Sequence, residues 1–128
     1  MTREVIVAYW LEKAVDDTAS AEANRLQGRY QNAVRDAYFA CFHAFTALLF
    51  EEGKIFKKHR EVRMILHRDY LRTGKIDAAW GKHYDWLFDN RQKADYRPLV
   101  VFEPDLVNDI VPRSKLFVEE IKRLIKEP

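Results

Sequence analysis

The chain has 128 residues, 48% hydrophobic and 33% charged, with a formal net charge of +2. That is enough apolar material for one compact domain over residues 1–128, and too much for a disordered segment. No apolar run approaches the roughly 18 to 20 residues that cross a bilayer, and no basic start precedes an apolar leader, so a cytoplasmic protein without a membrane partner is expected.

Four glycines and four prolines leave long unpunctuated segments, which argues for an all-α chain. The first helix is expected from about Arg3 to Leu26, with Leu11, Ala14, Val15, Thr18 and Ala21 at helical spacing, and Gly28 marks its end. The second carries Tyr30, Ala33, Val34, Ala37, Tyr38, Cys41, Phe42, Phe45, Leu48 and Leu49 on one face, and Gly53 closes it. Its reverse side is also apolar, through Phe39, His43, Ala47 and Phe50. A helix apolar on both sides is buried on both, by other helices of the bundle or by a second subunit, and a homodimer is the expectation. A third helix is predicted from about Lys58 to Thr73, with Val62, Ile65 and Leu66 inward and Arg60, Arg63 and His67 on another side. A fourth begins near Ile76, carries Trp80, Tyr84, Leu87 and Phe88 at core spacing, and ends at Tyr96 because Pro98 disfavours helical geometry at Arg97. "PLVVF" reads as a packed connector. The fifth helix starts at Pro104 and runs to about Lys126, with Pro112 expected to kink or interrupt it and Leu116, Ile121, Leu124 and Ile125 as its apolar stripe. Short connections make neighbours antiparallel, giving an up-and-down helical bundle of four to five helices.

The charge is segregated. Between Lys54 and Lys75 stand eight lysines and arginines against two acids, a local balance of +6 that leaves −4 for the remainder. Lys57, Lys58, Arg60 and Arg63 form a basic patch that suits phosphates, although a solvated helix face would look the same. The single Cys41 has no disulfide partner and cannot build a cysteine zinc site; it reads as core filler. His43, His59, His67 and His83 come singly, without the paired spacing of metal-binding bundles, so neither a metal nor a cofactor is expected.

Two constellations could carry chemistry. Arg35, Phe39 and His43 are spaced four apart and can share a pocket; the plainer reading of His43 is an interior or interface histidine bonded to Asp36 or a backbone carbonyl. The end of the fourth helix reads "NRQKADYRP". Arg91 and Asp95 face the same way, in the less favourable order for a helix pair, worth at best about 0.5 kcal/mol. Asn90 and Tyr96 add hydrogen-bonding groups, and an arginine fork bonds two phosphate oxygens at once.

"GRYQNAVRDAYFACFHAFTALLFEEG", "KKHREV", "LRTGKI" and "RQKADY" together resemble the HEPN domain superfamily, in its small stand-alone branch of uncharacterised UPF0332-like proteins, over roughly residues 8 to 125. The resemblance implies an antiparallel bundle that dimerises through its long helices, a cleft near that interface, nucleotide or RNA binding, and a minimal nucleotidyltransferase as partner in a toxin–antitoxin-type system. Many branches cleave RNA without metal, through an arginine followed after four to six residues by a histidine that acts as base or positions the 2′-hydroxyl. Here Asp95 stands where that histidine would be, and an ionised carboxylate repels phosphate. Arg60 and His67 satisfy the spacing only formally, in another helix. The reading is a nucleotide- or RNA-binding module with Arg91, Asp95, Tyr96, Asn90, Arg35 and His43 in its cleft. A metal-independent RNase with a variant site, its catalytic candidates being Arg91 and His43, is the alternative. A structural dimerisation module held by a buried Arg91–Asp95 pair is the third.

Overall fold

A computed structural model describes residues 1–96 and 100–126, the side chains of residues 94–96 excepted. Helices α1 (Arg3–Leu26), α2 (Tyr30–Glu51), α3 (His59–Ile65), α4 (Ala78–Tyr96) and α5 (Pro104–Lys126) follow in order, and a π-helical turn, Leu66–Leu71, continues α3. Among the described residues there is no strand. The fold is the expected all-α bundle.

Local chemistry sets the helix ends. The Thr2 hydroxyl accepts from the Val5 amide at 3.3 Å, capping α1. At its other end Gly28 takes φ 73°, and the Arg29 amide reaches back to the Asn24 carbonyl at 2.8 Å, a glycine-terminated cap. Gly53 repeats the device for α2, with the Lys54 amide on the Leu49 carbonyl at 2.9 Å. The three residues between α1 and α2 make those helices antiparallel neighbours.

The centre of the fold is α2. Every residue from Ala40 to Leu49 is buried, a run that survives only where neighbours enclose a helix all round. Those neighbours are α1, α4 and α5 of the same chain. The two-sided apolar character of this helix is therefore satisfied within one copy. The buried residues of α1 are Val7, Ala14 and Ala21, whereas Val15, which shares the helical spacing of Ala14 and Ala21, is exposed.

The third helix differs from its prediction. It leaves α-helical geometry at Leu66, and the Arg72 amide bonds the His67 carbonyl five residues back at 3.0 Å. Buried Gly81 of α4 lies against this segment; a Cβ there would come within 2.6 Å of Leu71 Cδ1, so its absence permits the close approach.

In α5 the helix continues through Pro112, which is exposed. Val107, Ile110 and Val111 before it and Phe117, Val118 and Ile121 after it are all buried, and this stripe holds both halves of the helix on the bundle. Leu116, assigned to the stripe from sequence, is exposed. Within the connector Phe102 is buried against Trp86, and the Val100 carbonyl accepts from Gln31 Nε2 at 2.6 Å.

Candidate functional site: an arginine and a histidine on an aromatic ledge

Tyr38, Phe39 and Phe42 of α2 build a ledge on which side chains from two other helices rest. The Arg91 guanidinium of α4 lies 5.0 Å from the centre of the Tyr38 ring and 5.7 Å from that of Phe39. Such placement over a π face is attractive for a cation. His59, the first residue of α3, stacks on Phe42 with centroids 4.1 Å apart and planes 5° from parallel, and its Nδ1 is hydrogen-bonded to the Tyr38 hydroxyl at 2.9 Å. Arg91 and His59 thus converge on one tyrosine from different helices. Nδ1 being occupied, Nε2 is the nitrogen through which His59 can meet a ligand.

Electrostatics follow from that geometry. Burial, the Arg91 charge and His43 all hold the His59 imidazole below its ordinary pKa, so at neutral pH it is an uncharged ring beside a permanent cation. Burial pushes the Tyr38 phenol up to about 12, which keeps it a neutral hydrogen-bonding group.

His43 sits deeper. Its ring is sandwiched between Trp10 (5.2 Å, 22°) and Phe39 (5.6 Å, 25°), and Nδ1 donates to Asp17 Oδ2 at 2.6 Å. The partner is Asp17 of α1 rather than Asp36 or a carbonyl; Asp36 instead accepts from Asn24 Nδ2 at 2.8 Å, and burial raises its pKa. With 8% of its surface exposed, His43 is a ledge support more than a contact group.

Of the residues singled out in the sequence, the structure brings Arg91, Phe39 and His43 together. Arg35 stands apart, exposed, with Asp36 at 3.9 Å as its nearest acid. Asn90 turns its amide onto the Trp86 carbonyl of its own helix at 2.8 Å. The side chains of Asp95 and Tyr96, and with them the Arg91–Asp95 pair, lie outside the described residues. The basic patch divides: Lys57 and Lys58 are exposed ahead of α3, while Arg60 and Arg63 line a groove against α4. Sequence reasoning missed His59, because nothing local in "KKHREV" announces that its ring is seated on a phenylalanine of the preceding helix.

Elsewhere, His83 Nε2 meets Ser114 Oγ at 2.9 Å within the core, and burial takes this imidazole down to about 4. The Cys41 thiol is fully enclosed and pushed up to about 12, which makes it inert core filler. Among the described residues no cluster of three metal-ligating side chains occurs, and no helix is long and apolar enough to cross a membrane.

A profile of the HEPN domain matches residues 7–124. The chain belongs to the HEPN domain family. Among its curated relatives, a UPF0332 protein of Thermotoga maritima is 33% identical over 125 residues, which cover 98% of this chain and 95% of the relative. A protein of Methanocaldococcus jannaschii named "Putative toxin" is 30% identical over 125 residues, 98% of this chain and 92% of its own. A UPF0332 protein of Archaeoglobus fulgidus is 28% identical over 116 residues, 91% and 90% of the two chains. These alignments span the HEPN bundle nearly end to end, ledge helices included.

Proposed function

We propose that this HEPN chain is a nucleotide- or RNA-binding module whose contact point is the Arg91–His59 pair on the Tyr38–Phe39–Phe42 ledge. The observation that carries the reading is the convergence of the two side chains on Tyr38. A guanidinium fork takes phosphate oxygens, an uncharged imidazole beside it exchanges a hydrogen bond with a ribose hydroxyl or phosphate, and the flanking aromatic edges suit a base. The toxin name carried by a relative favours a toxin–antitoxin setting, in which a minimal nucleotidyltransferase would be the partner protein.

A homodimer belongs to the same reading. Val5 and Tyr9 stand exposed one turn apart on α1, and Phe50 stacks on Trp10 at 6.5 Å, so an apolar surface adjoins the ring that covers His43. A second copy seated there would bring two ledges close together; light scattering after gel filtration reports the state, and a Tyr9→Glu variant would dissociate the pair.

The test of binding uses fluorescence anisotropy with a labelled oligoribonucleotide of about four nucleotides. Binding that weakens as salt rises and disappears in Arg91→Ala is expected. Salt-independent binding, or an Arg91→Ala chain that binds as well as the parent, overturns the reading.

His59 also favours a second reading, metal-independent RNA cleavage. Asp95 occupies the place of the histidine that the cleaving branches carry after the arginine, but an imidazole reaches Arg91's neighbourhood from α3 instead. Kept neutral by burial and by Arg91, it would accept the 2′-hydroxyl proton through Nε2 while Arg91 stabilises the charge on the phosphorane. Overexpression decides: growth arrest with RNA fragmentation by the parent and not by Arg91→Ala, His59→Ala establishes cleavage, and equal growth removes it.

A further inference from the structure

A second basic feature lies beside the ledge. The groove between α3, the π-helical turn and α4 encloses about 490 Å3 and is walled by Arg60, Arg63, His67, Arg68, Arg72 and Asp85. Four guanidinium groups face one carboxylate, a lining balance of +3 with histidine neutral.

The helix geometry creates this convergence. Arg60, Arg63 and His67 follow one another at steps of three and four, the spacing of a single α-helical face. Arg72 is five residues beyond His67. In a continued α-helix five steps of 100° would swing it about 140° off that face. The π-helical turn, with its five-residue hydrogen bond from the Arg72 amide to the His67 carbonyl, keeps both residues over the groove. Such turns are rare and concentrate at functional sites.

The lining groups differ in what already occupies them. Arg68 holds Asp69 through Nε and Nη2, at 2.8 and 3.1 Å. Arg63 lies over Phe88 at 4.1 Å and 3.5 Å from Asp89. His67 donates through Nε2 to Asp85 at 2.9 Å, which fixes its ring. Arg60 and Arg72 are exposed and have no acidic partner among the described residues. The groove also runs into the ledge: Arg63 rests on Phe88, Phe88 packs edge-on against Tyr38 at 6.2 Å, and Tyr38 carries Arg91 and His59.

We infer that this groove is a track for the phosphodiester backbone of a single-stranded nucleic acid whose end or reactive nucleotide sits on the ledge. The inference rests on the proposed reading of the ledge. Apart from the His67 imidazole, which Asp85 holds, the residues lining the groove carry no aromatic ring, so the track holds phosphates without reading bases, and by itself it does not distinguish RNA from DNA. Arg60 and Arg72 are its principal contacts, Arg63 links it to the ledge, and His67 is oriented by Asp85.

The experiment compares labelled single strands of about four and about twelve nucleotides, as RNA and as DNA, on the parent, on Arg60→Gln, Arg72→Gln and on Arg91→Ala. Both track residues are exposed, and circular dichroism confirms that the double variant is folded. The longer strands are expected to bind the parent more tightly than the short one. The double variant should lose this advantage, by about ten- to thirty-fold near 0.1 M salt, and the slope of log K against log salt should fall by about 1.4, because each single-strand phosphate contact contributes about 0.7. Short-strand binding should stay at the parent's level. A long strand that binds no better than a short one, or a double variant that retains its affinity and slope, overturns the track and leaves the ledge standing. Long-strand binding that depends on Arg60 and Arg72 but not on Arg91 establishes the track and refutes the ledge. Failure of every strand on the parent refutes both. Tighter RNA than DNA binding that persists in the double variant assigns the discrimination to the ledge.

Discussion

Replacing His59 by alanine separates seating from chemistry. The change removes a ring stacked 4.1 Å from Phe42 and a 2.9 Å hydrogen bond to Tyr38. Stacking beyond simple burial is worth about 0.5–1.5 kcal/mol and a neutral hydrogen bond about 0.5–1.5 kcal/mol, so a loss of about 1–3 kcal/mol is expected. A domain with about 5–15 kcal/mol of stability stays folded under that loss. At roughly 4 °C per kcal/mol for this chain length, Tm should fall by about 4–12 °C. Urea unfolding followed by circular dichroism gives the free energy directly. His59→Phe supplies the decisive comparison, since it restores a ring against Phe42 without a nitrogen. It should recover roughly half of the lost stability while leaving short-strand binding as weak as in His59→Ala. If His59→Ala is as stable as the parent, the ring is not seated on Phe42 and the ledge geometry is wrong. If His59→Phe binds like the parent, the imidazole nitrogen has no part in recognition.

The remaining predictions concern the core. His83 has a folded pKa of about 4 against an unfolded value near 6.5, so its neutral form favours folding; the contribution is complete above pH 6.5 and is lost as pH falls through 6.5 toward 4, on the order of 3 kcal/mol in all. Urea unfolding of the parent and His83→Gln between pH 7.5 and 4.5 should give a stability difference that shrinks toward acid, and a pH-independent difference would contradict the buried neutral imidazole. Phe45→Ala empties a fully buried site between α2 and the Tyr70 ring and should cost about 3–5 kcal/mol in the same assay. The Cys41 thiol should resist Ellman's reagent in the native protein and react in full once urea unfolds it, because burial denies both access and the thiolate form.

The parts of the fold that were legible in the sequence are those with a local cause. Gly28 and Gly53 adopt positive φ where the helices stop, and a long apolar rhythm marks α2 as the centre. The failures have causes too. "LHRDYL" contains no glycine or proline, so nothing in it announces a change from α- to π-helical winding. Pro112 leaves α5 unbroken because buried residues on both sides hold that helix down. Val15 and Leu116 are apolar yet exposed, which hydropathy alone does not separate from core. At the site, Arg91 and His43 were visible as types and spacing. His59 was not, since its role depends on a ring in another helix, and neither was the second life of Arg60 and His67 as walls of one groove.

The enclosure of α2 has a consequence for how this family can vary. Tyr38, Phe39 and Phe42 form the floor of the proposed site and lie on the helix whose next turns are buried on every side. Amides from Ala40 to Leu49 should exchange with deuterium only through global unfolding, whereas those of α3 should open more easily. Any alteration of the floor is then a threat to the whole domain. His59, Arg91 and the groove arginines come from surrounding helices, and a change at His59 costs only about 1–3 kcal/mol, so they can be exchanged without unfolding the domain. Diversification of ligand or chemistry should therefore proceed by replacing what rests on the floor while the floor itself is kept.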